Sequence, residues 1–261
     1  MICTTLVLGT ADLPAPLAEL SPWLDADHED AAEVRRLLAA QGHRRVIKTH
    51  TPLDGLPLDA GVTYVVVGRH PLDVGISLYH HARNLDRERI AELSGASSGA
   101  APSGPLDAWL RDWVAADPPV EEQLDTLPGL VHHSRDAFAR VRSVDVVMVH
   151  YDHLVADCEG EMRALADRLG IEVSPPRWPE LVEAVSFESM RRQAARLAPD
   201  RHGVLRDPAA FFRSGRSGEG RSLLAGADLR RYDQRMSELA EPDLRDWLEH
   251  GQVGRVDAGP S

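Results

Sequence analysis

RVIKTHTPLDGLP (residues 45–57), followed after a short gap by VTYVVVGRHPLDVGISLYHH (62–81), reads as two strands and a helix. Each strand ends in charged or polar residues: Lys48, Thr49 and His50 after the first, Arg69 after the second. Val62 to Val67 is a nearly continuous apolar, β-branched run. That pattern predicts a strand covered on both faces, as in a parallel sheet. Ligand sites in open α/β sheets lie just outside the carboxyl ends of such strands. The pattern therefore puts Lys48, His50 and Arg69 where a binding site belongs. Lys48 and His50, two residues apart, share one face of the first strand.

Arg69 is followed by His70-Pro71-Leu72-Asp73 and a helical run from Val74 to His81. Pro71 suits a first helical turn, because its missing N–H would be unpaired there in any case. A helix start offers free backbone N–H groups and the positive dipole end to an anion. Ser77 follows eight residues after Arg69, where its hydroxyl can fall on the same side as the Arg fork. Arginine matches phosphate with two parallel charge-assisted bonds. The residues alone leave a second reading open, in which Arg69 pairs with Asp73 and Ser77 is an ordinary helix-surface residue.

The two segments together resemble the soluble sulfotransferases that use 3'-phosphoadenosine 5'-phosphosulfate (PAPS). That family carries a Lys-Thr-His strand end, and an Arg and a Ser eight residues apart that hold the 3'-phosphate. The resemblance implies an α/β, P-loop-like three-layer sandwich around a central parallel sheet. It makes His50 the catalytic base and Lys48 the sulfuryl-stabilising cation, with Arg69 and Ser77 as 3'-phosphate ligands. It extends along the chain. Val144 to Tyr151 reads as a buried strand, and Tyr151-Asp152-His153-Leu154 is similar to a family Tyr-Glu-Asp-Leu strand end, which adds Tyr151 to the cofactor contacts. The helix after it is expected from Leu154 to Leu169, stopping at Gly170. Val185–Met190 resembles a family segment whose Phe lies near the adenine, here Phe187. Phe211–Gly215 resembles a late Phe-Arg-Lys-Gly element over the 3'-phosphate, here Arg213 and Gly215. Ser214 replaces its usual Lys, so the resemblance implies a clamp weaker by one cation.

The family's first strand and its Pro-Lys-Ser-Gly-Thr-Thr-Trp phosphate loop have no counterpart in the chain. Met1–Gly9 looks like the middle of the helix that follows that loop. The sandwich is thus expected to be incomplete at its N-terminus. A missing central strand leaves backbone groups unpaired at about 1–3 kcal/mol each, so the chain as written is expected to fold poorly and to transfer sulfuryl groups weakly. The competing reading is a non-catalytic remnant that binds adenosine 3',5'-bisphosphate or a partner protein. A P-loop kinase is disfavoured, since no Gly-Lys-Ser/Thr loop exists here.

Composition narrows the partners. The 261 residues carry a formal net charge of −12, which disfavours a nucleic-acid binder and leaves room for a small anion in a local basic pocket. A single sulfotransferase-like domain over 1–261 is expected. Two cysteines, Cys3 and Cys158, point to free thiols and the cytoplasm. The start lacks the charged region and cleavage site of a secretory signal, and no apolar run reaches the roughly 18 residues of a membrane span. No metal is expected: the paired histidines His80-His81 and His132-His133 point apart on a helix, with no Cys or carboxylate at ligand spacing. By the same family resemblance, residues 82–128 are expected to form an acceptor-side lid; within them, Gly, Ser and Pro crowd into 93–105, as in a flexible loop. Trp109, Leu110 and Trp113 either line that acceptor pocket or form helix core. The resemblance implies a small alcohol, phenol or amine as acceptor, the oligomeric state is open, and 251–261 is expected to be a disordered tail.

Overall fold

Tyr64–Gly68 (β1) and Val146–His150 (β2) pair in parallel in the computed structural model, which describes residues 1–96, 99–141 and 144–252. Tyr64 stands opposite Val146 and Gly68 opposite His150. Among the described residues these two strands make up the sheet. Parallel strands need a long crossover, and here it carries the helices Pro71–Asn84, Arg87–Ser94, Leu106–Ala115 and Leu127–Arg140. The last of these starts at Thr126, whose hydroxyl accepts the Gly129 N–H at 3.1 Å, an N-cap contact of about 1 kcal/mol.

The chain falls into two compact units, interleaved in sequence. One comprises the described residues of Met1–Thr51, His81–Ala101 and Cys158–Gly215; the other those of Pro52–His80, Pro102–Asp157 and Arg216–Ser261. In the first, Leu13, Leu20, Leu197, Leu205 and Phe212 form a buried cluster. Its helix Ala31–Ala40 is capped by Asp30, whose carboxylate accepts the Ala32 N–H at 2.7 Å. In the second unit, Val66 and Val146 share a sheet face and pack with Ala137 of Leu127–Arg140. A larger cluster joins Leu72, Ile76, Leu110, Trp113, Tyr232, Met236 and Trp247. Trp113 is thus core, and Trp109 packs against it with ring centroids 6.4 Å apart.

Three elements differ from the sequence reading. The stretch from Arg45 to Lys48 is not a strand: it makes a single parallel bridge, Lys48 to Trp23. With no ladder beside it, Ile47 stays 44% exposed. The run ending at Val67 is not covered on both faces, since Val67 is 59% exposed, whereas Val147 and Val149 of β2 are buried. The helix expected over 154–169 is two helices, Tyr151–Ala156 and Cys158–Leu169, because Asp157 leaves the helical region (φ −146°, ψ 77°). Gly170 does end the second, at φ +63°, where glycine carries no Cβ penalty. Residues 97–98 of the expected loop and 253–261 of the expected tail lie outside the described residues; Gly251 closes the helix Pro242–His250 by donating its N–H to Trp247 O at 2.8 Å. No helix among the described residues is long and apolar enough to cross a membrane.

Gly68 lies flat against Trp247: a Cβ there would come within 2.1 Å of the indole ring. Gly68→Ala should cost about 1–3 kcal/mol by overpacking and lower the melting midpoint by several degrees. Gly42→Ala, at a glycine with open space around its Cβ position, is the control and should melt close to wild type.

Candidate active site

In the first unit, the polar end of the KTHT segment folds around Trp23. Lys48 N–H donates to Pro22 O at 3.0 Å, and Leu24 N–H donates to Lys48 O at 2.8 Å. That bridge lays the Lys48 side chain across the indole, with Nζ 3.6 Å from the ring centroid. The His50 ring lies 4.4 Å from the same indole, and His28 meets it edge-on at 5.7 Å. A cation and an imidazole therefore both contact one aromatic ring. The expected common strand face for Lys48 and His50 is replaced by this shared ring. Burial pushes the Lys48 ammonium down to about 8, against the pull of the Asp25 carboxylate. Trp23 Nε1 is buried with no hydrogen-bond partner, a donor free to meet a ligand. The sequence reading missed the SPWLDAD segment (21–27) that supplies Trp23 and Asp25; its one cue is an aromatic followed two residues later by a carboxylate.

The same unit holds Phe187 and Gly215. Phe187 opens the helix Phe187–Arg192 behind the N-cap Ser186, whose hydroxyl accepts the Ser189 N–H at 3.2 Å. Gly215 sits at φ +62°, and a Cβ there would lie 2.6 Å from the Phe187 ring. Only glycine turns the chain this closely over that ring. Arg213 lies two residues before it and is half-buried.

In the second unit, the register does the placing. Because Gly68 pairs with His150, the next residues on each strand, Arg69 and Tyr151, emerge side by side. The Arg69 guanidinium lies 4.4 Å from the Tyr151 ring centroid. Its Nη2 donates to Arg216 O at 2.8 Å, while its Nε is buried without a hydrogen-bond partner. Arg69 does not pair with Asp73. The Asp73 carboxylate is buried and taken by two backbone donors, Gly218 N–H at 2.6 Å and Gly220 N–H at 2.7 Å. Ser217 Oγ donates to Asp152 Oδ1. The 216–220 segment, which runs into the helix Glu219–Leu223, is thus pinned to the residues that follow both strands. Gly220 is required there, since a Cβ would lie 2.4 Å from Leu72 Cβ. Pro71 is the first residue of its helix. His70 precedes it, its Nδ1 accepting the Leu72 N–H at 3.2 Å; burial lowers its pKa and favours the neutral ring. Ser77 is exposed, in the second turn of that helix. Asp73 and His70 are the residues the sequence reading missed as organisers, and Asp at the third helical position was the available cue. A guanidinium with a spare donor, held on a ring and free of carboxylates, suits an anionic ligand. Among the described residues, no three His, Cys, Asp or Glu side chains gather to hold a metal ion.

Comparison with known proteins gives this arrangement its family. The sequence matches the sulfotransferase domain over residues 9–242. The chain belongs to the sulfotransferase family. The glycolipid sulfotransferase of Mycobacterium bovis (strain BCG / Pasteur 1173P2) is 35% identical over 276 residues, covering 97% of this chain and 84% of that protein. Glycolipid sulfotransferase Rv1373 of Mycobacterium tuberculosis (strain ATCC 25618 / H37Rv) is 34% identical over 275 residues, with the same coverage. Among solved structures, mouse sulfotransferase SULT7A1 complexed with PAP superposes with a TM-score of 0.65 at 17% identity, over 85% of this chain and 74% of that one. Retinol dehydratase in complex with androsterone and inactive cofactor PAP gives 0.68 at 20% identity, over 92% and 77%. These likenesses establish the P-loop-like fold with its parallel sheet. The protein is a sulfotransferase enzyme, and the relatives favour that over a non-catalytic remnant.

Asp73→Ala in the sulfotransferase leaves the buried Gly220 N–H and the Gly218 N–H without their acceptor. At about 1–3 kcal/mol for each donor left unsatisfied, the expected loss is about 3 kcal/mol, read as a lower midpoint in urea unfolding. An unchanged midpoint would show that the segment does not depend on this carboxylate.

Proposed function

We propose that this sulfotransferase transfers a sulfuryl group from PAPS to a hydroxyl or amine of a small-molecule acceptor, with glycolipid hydroxyls as the first acceptor class. The observation that carries the reading is that the Lys48 ammonium and the His50 imidazole both contact the Trp23 ring. The glycolipid sulfotransferases at 34–35% identity support the acceptor class, and the PAP in the solved relatives supports the donor. PAPS, when bound, supplies an activated sulfuryl group whose leaving group is a phosphate.

His50 takes the proton of the acceptor hydroxyl as the new sulfur–oxygen bond forms, a task suited to imidazole near neutral pH. Lys48 stabilises the negative charge left on the bridging oxygen as the old sulfur–oxygen bond breaks. Arg69 holds the 3'-phosphate through its spare Nε and fixes the nucleotide's register, with Ser77 and Tyr151 beside it in this role. Phe187, Arg213 and Gly215 are proposed as further nucleotide contacts. The chemistry is then largely positioning. We also propose one sulfotransferase-like domain, supported by the family match over residues 9–242, and a cytoplasmic setting, which a content of only two cysteines fits.

The test is transfer of labelled sulfate from PAPS to octyl β-glucoside by the purified chain. His50→Ala should abolish transfer and leave PAP affinity within a few-fold of wild type. Arg69→Ala should weaken PAP by about 2–4 kcal/mol, measured by calorimetry. Identical defects in both variants would overturn this division of roles.

The pH dependence follows from Lys48. Its ammonium is the active form and its pKa is about 8, so the cation is lost as pH rises through that value. kcat/KM should therefore decline on the alkaline side with a midpoint near 8, well below the 10.5 of an ordinary lysine. A plateau extending to pH 10 would contradict the role given to Lys48.

A further inference from the structure

One carboxylate gathers the donors of the KTHT turn. Asp25 Oδ2 accepts from Thr49 Oγ1 at 2.7 Å, from the Thr51 N–H at 2.9 Å, and from Thr51 Oγ1. The His50 N–H donates to both carboxylate oxygens, at 3.1 and 3.3 Å. The backbone is thus tied at His50 itself and at the residue after it, with the Thr49 hydroxyl tied on the other side. Two residues upstream of Asp25, Trp23 bridges Lys48. The segments 23–25 and 48–51 therefore form a clamp, with a backbone bridge at the lysine and a carboxylate at the histidine. All the groups facing Asp25 here are donors. An ionised carboxylate accepts at every lone pair, whereas an amide would turn an NH2 toward some of them.

We propose that Asp25 is a positioning residue for sulfuryl transfer, holding the His50 backbone so that the imidazole stays against the Trp23 ring that also carries the Lys48 ammonium. The proposal rests on the reading of Lys48 and His50 as the reacting pair. The charge of Asp25 has a second consequence. The bonds from Thr51, Thr49 and the backbone outweigh burial and hold its carboxyl below the usual range, so it is anionic across the working pH. The titratable groups around Lys48 are Asp25, His28, the His50 ring on the shared indole, and the Met1 amino group. Asp25 is the carboxylate that opposes the effect of burial on Lys48. Lys48 is also the only lysine in the chain. A compact ammonium titrates under such influences where a guanidinium does not, and a single lysine makes its titration directly observable.

The experiment compares wild type with Asp25→Asn and Thr51→Val, the second removing one hydroxyl donor to the same carboxylate. The chain is labelled with lysine carrying 13C at Cε, which gives one NMR signal. Expected for Asp25→Asn are a Lys48 titration midpoint below the wild-type value near 8 and a kcat at least tenfold lower for PAP release from PAPS with octyl β-glucoside. PAP affinity should stay within about threefold. Thr51→Val should show a smaller loss of kcat in the same direction. A Lys48 midpoint and kcat unchanged in Asp25→Asn would overturn the proposal. So would a fall in kcat that only tracks a lower melting midpoint while the Lys48 signal stays put, because that pattern is purely structural. His50→Ala and Lys48→Arg run alongside: if they turn over normally, the reading of the reacting pair fails, independently of what Asp25 does.

Discussion

The parallel pairing that sets Gly68 opposite His150 organises the second unit. It ends both strands at one level, so the residues that leave them, Arg69 and Tyr151, have no choice but to meet. Trp247 packs against the flat face that Gly68 leaves open and draws the C-terminal helix under the strand ends. Asp73, in the first turn after β1, then reaches the 216–220 segment through two backbone N–H groups. A one-residue slip in the register would move every side chain of a strand to the opposite face and separate guanidinium from ring. The placing of the Arg69 guanidinium on the Tyr151 ring is therefore a property of the register before it is a property of Arg69.

The first unit achieves a similar end without a sheet. Lys48 and His50 are on a segment that makes one bridge, so no ladder holds them. Asp25 does what a neighbouring strand would have done, because its carboxylate takes the backbone donors that a strand's carbonyls otherwise accept. Such a tie is local and polar. It needs no buried apolar surface, which is consistent with the exposure of Ile47 next door.

Much of the second unit was legible in the sequence. β1, β2 and the helix that begins at Pro71 follow from β-branched runs and one proline, and they lie where the pattern puts them within a few residues. The first strand was misread because apolar Val46 and Ile47 carry strand propensity whether or not a partner exists; propensity records the side chain and not the ladder. Asp157 splits a helix whose apolar spacing is continuous, since periodicity reports which face is buried and is silent on a single non-helical residue. The sequence admits Trp109, Leu110 and Trp113 as pocket or as core; packing makes Leu110 and Trp113 core, with Trp109 partly buried against them. Asp25 was invisible for a different reason. Its partners lie 24–26 residues away, and nothing in an isolated SPWLDAD states that a KTHT turn will fold onto it.

The two cations proposed for the chemistry rest on aromatic rings with no carboxylate partner among the described residues, unlike Arg201, Arg245 and Arg163. Arg201 is spent on Glu29 and Glu33, Arg245 on Asp233 and Glu249, and Arg163 lies over Trp178 but also binds Glu159. Lys48 and Arg69 lie on aromatic faces, and neither has a carboxylate within ion-pair distance among the described residues. A ring orients a cation through its quadrupole at about 0.5–2 kcal/mol and leaves the full charge available. A carboxylate would orient it more tightly and cancel it. In a chain of net charge −12, the long-range field repels an anionic ligand, and attraction has to come from short-range cations kept unneutralised. Seating them on Trp23 and Tyr151 meets that requirement, with Asp25 close enough to hold the turn yet beyond ion-pair reach of the Lys48 ammonium.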